Sequence, residues 1–575
     1  MLAVILLVTI ALFWFAYRVY GGWMGRVYGL NDRHLVPSEG QYDGVDHVPT
    51  KTQILLGHHF SSIAGAGPIV GPILAGLFFG WLPALLWIIA GSILVGGVHD
   101  FGATIASVRH KARSVAELAK QYITPMAYRL FLAFIWLALI YVIVVFMDLT
   151  ADTFVDVEMN GGGVAISAMI FVGLALVMGF LTYRRGLSIK TGTLIFLPLL
   201  LLAIWVGDAV VEGAGLLPGL AGSEKNAWNV VLLIYCLVAS ITPVWILLQP
   251  RDYLSSWLLY LSVLGAGLGL LIGGLTGATA VAGRWPALVA PSTVTDLGIA
   301  HLGPLFPILF ITVACGACSG FHSLVASGTT AKQITCETDT RRVGYGAMLI
   351  EGVVAVIALS AVIILPFSAE AFGDTPIAIY AGGIGEFLAR LGVPVRFGSH
   401  FGLLALSTFL LTTLDTCTRL GRYAVQEAFS WDKNDARSRV IATIVTLALP
   451  ASLVFVTYTD PATGQVLPAW RAVWPVFGAT NQLLAALALL AITVWLKRTG
   501  RTWAFAGIPM GFMLVMTMSA LAMLIWRNGF TLIGFISGAL FVLGLLLVAE
   551  AARAFRLEEL GPERVTLKPA AAGGD

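Results

Sequence analysis

"GHHFSSIAGAGPIVGP", residues 57–72, is the stretch that decides the fold. Two histidines and two serines lead directly into glycines and prolines, in the middle of an apolar segment, residues 52–80, long enough to cross a bilayer. Proline removes a backbone donor and clashes with the preceding turn, and glycine weakens a helix. Broken backbone at membrane depth survives only where protein buries it or a water-filled cavity adjoins it. A kinked helix that uses small residues for close packing is the plainer reading. His58, His59, Ser61 and Ser62 argue against it, because polar groups inside a membrane are costly and usually line a pathway. These four, with Gly65 and Gly67 at the break, are candidate substrate-binding residues.

The rest of the chain supplies the membrane. Of 575 residues, 58% are hydrophobic and only 11% charged, and the mean hydropathy is +0.89; a soluble domain carries about 25% charged residues. Apolar runs of about 20 residues recur from end to end, without the alternation of barrel strands. The expected fold is therefore an all-α polytopic membrane protein with about fifteen transmembrane helices. They fall near residues 2–20, 52–80, 83–108, 128–150, 163–182, 188–210, 228–250, 253–282, 303–331, 343–366, 401–425, 438–458, 470–496, 503–526 and 529–552. Residues 375–391 read as too short and too broken to span, hence interfacial or re-entrant. The first segment has no basic lead and no small-residue cleavage site, so it reads as a retained span.

Basic residues fall in alternate loops: Arg109, Lys111 and Arg113, then Arg184 and Arg185, Arg251, Arg341 and Arg342, Lys433 and Arg437, Lys497 and Arg498. The opposite loops carry scattered charges and an acidic stretch, Asp152, Asp156 and Glu158. Lys and Arg accumulate on the cytoplasmic side, which puts the N-terminus outside and the C-terminus inside. The organisation expected is a peripheral helix and loop (1–50), a core (51–366), a helical region completing the bundle (367–552) and a disordered cytoplasmic tail (553–575). A net charge of +3 points to no nucleic-acid partner, and five cysteines in or beside apolar spans form no extracellular disulfide framework.

"CGACSGFHSLVASG", residues 315–328, repeats the opening theme: an aromatic, a polar pair, an apolar step and a small-residue break. The two interrupted spans are an odd number apart, so they run in opposite directions. Such a pair marks a transporter site near the midplane, where free backbone groups meet the solute. His322 and Ser323 join the candidate substrate-binding residues, as do Asn481 and Gln482, whose mid-span amides can bind either substrate or a neighbouring helix. His99 and Asp100 lie about 14 Å along the helix from Arg109 and are candidates for carrying the coupling proton. Asp415 is a further one, although Arg419 at i+4 offers it an intrahelical partner. Glu351 is a buried acid with no obvious partner. Arg251 and Asp252, between two prolines and a span, read as a gate, a hinge or a tight loop. Cys315 and Cys318 form a CxxC that, with the histidines, leaves a metal site as the alternative, while the primary reading has no metal.

Six stretches, "GHHFSSIAGAGPIVGPILA", "GGVHDFGA", "QPRDYLSSWLL", "ACGACSGFHSLVASGTTAKQI", "TTLDTCTRLGRY" and "FGATNQLLAALAL", occur in an order that resembles the carbon-starvation protein A family, from about residue 20 to 550. The resemblance implies a bacterial inner-membrane carrier of peptides or of pyruvate, the latter with proton coupling. It also implies a LeuT-like inverted-repeat core with peripheral helices. The expectation is thus a secondary active transporter and not an enzyme. Its partners are a small-molecule substrate and the lipid bilayer, and homo-oligomerisation is left open. It needs no cofactor beyond a coupling proton, with sodium as the other candidate ion. The competing classes are a metal-handling permease or channel and an intramembrane hydrolase built on serine and histidine. No phosphate-binding loop of the Walker type is present.

Overall fold

The computed structural model describes residues 1–42, 47–156, 160–210, 223–243, 246–276, 284–297, 299, 301–432, 435–456, 458–459, 466–467, 469–557, 560–561 and 567. Glu158, Lys433 and most of the expected tail therefore lie outside the described residues, as does the end of the expected span 253–282.

Among the described residues the chain is a bundle of helices with one two-stranded ribbon, β1 (Tyr458–Thr459) on β2 (Val466–Leu467). In order, the helices that matter are α1 (Leu2–Tyr28), α2 (Thr52–Ile63), α3 (Gly67–Phe79), α4 (Trp81–Arg109), α5 (Val115–Tyr122) and α6 (Pro125–Val155). Then come α7 (Gly161–Arg185), α8 (Ile189–Val210), α9 (Glu224–Ile241), α10 (Leu248–Leu275), α11 (Leu305–Thr312), α12 (Gly320–Gly328) and α13 (Arg341–Ile363). The last are α14 (Pro376–Ala389), α15 (Val395–Ala428), α16 (Ala436–Val454), α17 (Ala469–Arg498), α18 (Ala504–Asn528) and α19 (Leu532–Phe555).

Thirteen of these helices are long and apolar enough to cross a membrane, and the bent pair α2–α3 makes fourteen. The remaining expected stretch, 303–331, holds α11 and α12, each too short to cross alone. The ends obey local chemistry: Ser114 and Thr124 accept the backbone N–H of Glu117 and Ala127 to start α5 and α6, and Gly29 closes α1 with φ of +63°.

Burial sorts the bundle into two shells. The most apolar window of α17 is wholly buried, and those of α15 and α13 are 89% and 83% buried. In α1, α18 and α19 only about a third or less is covered. The first set is the core scaffold, and the second presents Leu, Val and Phe outward, as lipid contact demands.

Residues 376–389 depart from the reading as a broken piece. They form one continuous helix, α14, buried along Tyr380, Ile384 and Phe387 and packed on α15. The glycines taken for breakers are contact points. A Cβ at Gly383 would collide with Ala361, and one at Gly385 would stand 2.9 Å from the Val395 carbonyl oxygen.

Candidate functional site

Both spans are interrupted, but the second not where the motif match put it: Ala326–Gly328, the expected small-residue break, is the last turn of α12, and the interruption precedes Phe321. α2 ends at Ile63, Ala64 leaves the helical region, and α3 resumes at Gly67 after a bend of 46°. The second break is longer: residues 313–319 are extended or turned between α11 and α12, with Gly316 at φ of +83°. They are packed together and antiparallel. Thr50 bonds to Gln333, His59 to Thr330, Gly67 abuts Cys315, and Gly71 abuts Thr312 and Val313, so one chain ascends as the other descends.

Glycine is required at this crossing. A Cβ on Gly67 would overlap the Cys315 side chain, and one on Gly71 would stand 2.5 Å from the Thr312 carbonyl oxygen. On Gly65 it would lie 2.6 Å from Thr413 Oγ1 and 3.0 Å from the Phe146 ring.

Unwound backbone inside protein needs partners, and α17 supplies them. Asn481 Oδ1 accepts the Phe321 N–H at 3.0 Å, and Asn481 Nδ2 donates to Ser319 Oγ at 3.0 Å. Gln482 Nε2 sits 2.9 Å from the Phe310 carbonyl oxygen and 3.3 Å from that of Val313. Of the two roles left open for this amide pair, the structure shows bonding to the neighbouring helix. Ser92 Oγ adds a bond of 2.9 Å to the Gly316 carbonyl from the π-helical turn Ser92–Gly96 of α4.

A buried acid–imidazole cluster stands against the second break. Asp100 is bonded at 2.7 Å by His99 Nδ1 on one oxygen and at 2.7 Å by His322 Nδ1 on the other. His322 Nε2 lies 3.2 Å from Glu351 Oε2, close enough for charge contact but without hydrogen-bond alignment, while Glu351 Oε1 accepts the Gly316 N–H at 3.1 Å. All four side chains are fully buried. Glu351, read from sequence as an acid with no evident partner, thus closes the cluster. Its own helix offered no signal, because His322 and Gly316 come from α12 and the break.

A second cluster lies nearer the basic loops. Arg251, in the first turn of α10, sits between two buried carboxylates: its Nη2 reaches Asp252 Oδ1 at 2.5 Å and Asp415 Oδ1 at 3.1 Å, and its Nη1 also contacts Asp415. Tyr235 donates to Asp415 at 3.0 Å, and His58 Nδ1 lies 3.0 Å from Asp252 Oδ2. The intrahelical Asp415–Arg419 pairing expected from spacing does not form. Arg419 turns to the carbonyl oxygens of Ala239 and Thr242 at 2.7 and 2.6 Å, which end α9.

His58 and His59 point to different places. His58 lines a cavity of about 310 Å³ with Lys51, Gln249, Tyr253 and Gln333, whereas His59 is fully buried and bonded to Thr330 Oγ1 at 2.8 Å. The hydroxyls of Ser61 and Ser62 both donate to the His58 carbonyl oxygen, and that of Ser323 to Gly320. Cys315, His322 and Glu351 bring ligand atoms within 4.8 Å of one another. This trio, rather than the CxxC with Cys318, is the nearest approach to a metal-ligand set among the described residues, and it is one short of the usual four ligands.

Two interrupted antiparallel helices, braced by a rigid neighbour and facing buried ionisable clusters within a shell of bilayer-length helices, define a membrane carrier. The chain belongs to the carbon starvation protein CstA family, whose profile matches residues 1–372 and 368–520. It is 32% identical to the peptide transporter CstA of Campylobacter jejuni, over 89% of this chain and 78% of that one. The peptide transporter CstA of Escherichia coli is 31% identical over 90% and 80%. The pyruvate/proton symporter BtsT of the same organism is 29% identical over 92% and 82%. Among solved structures, MhsT in complex with L-phenylalanine covers 88% of this chain and 99% of its own at a TM-score of 0.45 and 12% identity. A manganese transporter of Eremococcus coleocola covers 90% and 99% at 0.40 and 13%.

Proposed function

We propose that this protein is a proton-coupled symporter that brings small carboxylates, pyruvate or short peptides, across the bacterial cytoplasmic membrane, with its N-terminus outside and its C-terminus inside. The observation that carries the reading is the cluster of Asp100, Glu351, His99 and His322 against the second break. Two carboxylates and two imidazoles with no fixed cation among them reach neutrality only by holding two protons, and burial penalises any uncompensated charge. Glu351 and His322 therefore join His99 and Asp100 as the proton-carrying set. The relatives' names, peptide transporter and pyruvate/proton symporter, fit such a device.

The substrate path runs from the cavity at His58 toward the breaks. Lys51 at its rim attracts a carboxylate, and His58 meets it one helix turn below the closed centre. The tight burial of His59, Ser61, Ser62, Ser323 and His322 corresponds to a closed centre that opens by movement of the half-helices. Arg251, with Asp252 and Asp415, makes a group of net charge −1 that a proton on His58 neutralises. This is our role for Asp415: a partner in the gate below the centre.

The hydrolase reading is not favoured. Each candidate serine donates its hydroxyl to a helix carbonyl rather than to a histidine, whereas an activated nucleophile needs a base within reach. The test is uptake into proteoliposomes. Radiolabelled pyruvate or dipeptide should accumulate under an imposed inward proton gradient and collapse with a protonophore. Absence of both uptakes overturns the reading.

A further inference from the structure

Between α1, α2 and α13 lies a cavity of about 980 Å³, and the transport path does not use it. Its lining is graded along all three helices. At one end stand Lys51, Thr52 and Arg342; at the other, Ile10, Phe13, Leu349 and Val353. From Arg342 to Val353 the helix rises roughly 16 Å, about one leaflet of hydrocarbon. Ile10 and Trp14 on its wall are 42% and 61% exposed, part of the outward apolar face of α1.

The polar end is built for negative charge. Arg341 lies 5.1 Å over the Tyr17 ring and Arg18 5.5 Å over Trp14, so two further guanidiniums are fixed on aromatic side chains that line the groove. Asp339 is the counter-charge there; it binds Arg342 at 3.0 Å and accepts the Thr52 hydroxyl at 2.6 Å. Among the described residues, four cations against this one carboxylate leave the mouth positive, beside Trp14 and Tyr17, the residue types that mark a membrane interface.

We infer that this groove holds one anionic diacyl phospholipid, its phosphate between Lys51, Arg341 and Arg342 and an acyl chain along Ile10, Phe13 and Val353. Basic pockets between transmembrane helices take such headgroups on the cytoplasmic side. A lipid fits this groove better than a protein segment because polarity falls with depth along its walls, as it does across a leaflet. Lys51 also lines the cavity at His58, so a bound headgroup sits next to the proposed substrate path.

The test uses the full chain in mild detergent, with native mass spectrometry after adding phosphatidylglycerol or phosphatidylcholine of identical acyl chains. One phosphatidylglycerol should be retained preferentially, and Arg341→Gln with Arg342→Gln should weaken that retention about tenfold. Arg184→Gln with Arg185→Gln, which removes the same charge at the exposed end of α7, should leave it unchanged. Ile350→Trp, which fills the apolar end and keeps every cation, should displace the lipid as well and covers the case in which the arginine pair fails to fold. Equal retention of the two lipids overturns the inference. So does unchanged retention in the arginine pair or in Ile350→Trp, equal loss in the control pair, or a second copy of this chain covering the groove.

Discussion

Asp415 is held by Arg251, 164 residues earlier in the chain, and not by Arg419 one turn away on its own helix. The buried guanidinium bridges two carboxylates, so its removal leaves Asp415 with only Tyr235 and Asp252 with only His58, and no fixed cation between them. Arg251→Ala is expected to cost about 3–5 kcal/mol. Arg419→Ala, which frees two carbonyls at the end of α9, should cost about 1–3 kcal/mol. Thermal unfolding in detergent, calibrated with a denaturant, ranks the two; the reverse order would mean that the pairing is wrong.

The acid–imidazole cluster sets the coupling. Glu351→Gln removes one of two carboxylates while keeping a group that can accept the Gly316 N–H. Uptake driven by a proton gradient should disappear, while counterflow exchange of substrate, which needs no net proton movement, persists. In the parent protein, uptake should rise as the outside is acidified, since symport gains driving force from external protons. The variant's profile should be flat. A Glu351→Gln protein that still accumulates substrate against a gradient removes this residue from the mechanism.

The crossing of the breaks allows no added methyl group where it meets main chain. Gly71→Ala, placed against the Thr312 carbonyl, should destabilise by about 1–3 kcal/mol because backbone cannot give way cheaply. Gly173→Ala, in α7 with nothing within 4 Å, should be neutral or slightly stabilising. Melting temperatures of the two variants against the parent check the contrast.

Adjacent histidines should differ in accessibility. A cysteine at position 58 faces the cavity, and one at position 59 does not. In a background lacking the five native cysteines, a membrane-impermeant maleimide should label His58→Cys in inside-out vesicles and spare His59→Cys. Labelling of His58→Cys only from the opposite face would reverse the proposed orientation.

Much of this was legible in the chain. The first interruption could be read because proline and glycine act on their own helix, and the antiparallel crossing needed only a count of spans; the second was read on the right span but at the wrong end of its motif. The partner of Asp415 could not be read, since i, i+4 spacing shows a neighbour on the helix and nothing of a guanidinium on α10. Glu351 was seen as a buried acid, but its partners on α12 and the break were unreadable for the same reason. Asn481 and Gln482 were seen as polar but not assigned, because most of what they bond to, the carbonyl oxygens of Phe310 and Val313 and the N–H of Phe321, is main chain at the edges of the second break, which carries no side-chain signature. The glycines of α14 misled, since the composition that breaks a lone helix also lets two helices touch.

Asn481 and Gln482 grip opposite ends of the second break from adjacent positions on one rigid rod. Any swing of α12 relative to α11 must then pivot close to that pair, with α12 itself as the lever. Small rotations there translate into large excursions at Lys332 and Gln333 beside the cavity, so a spin label near residue 332 should report the working stroke long before one on α17 moves at all.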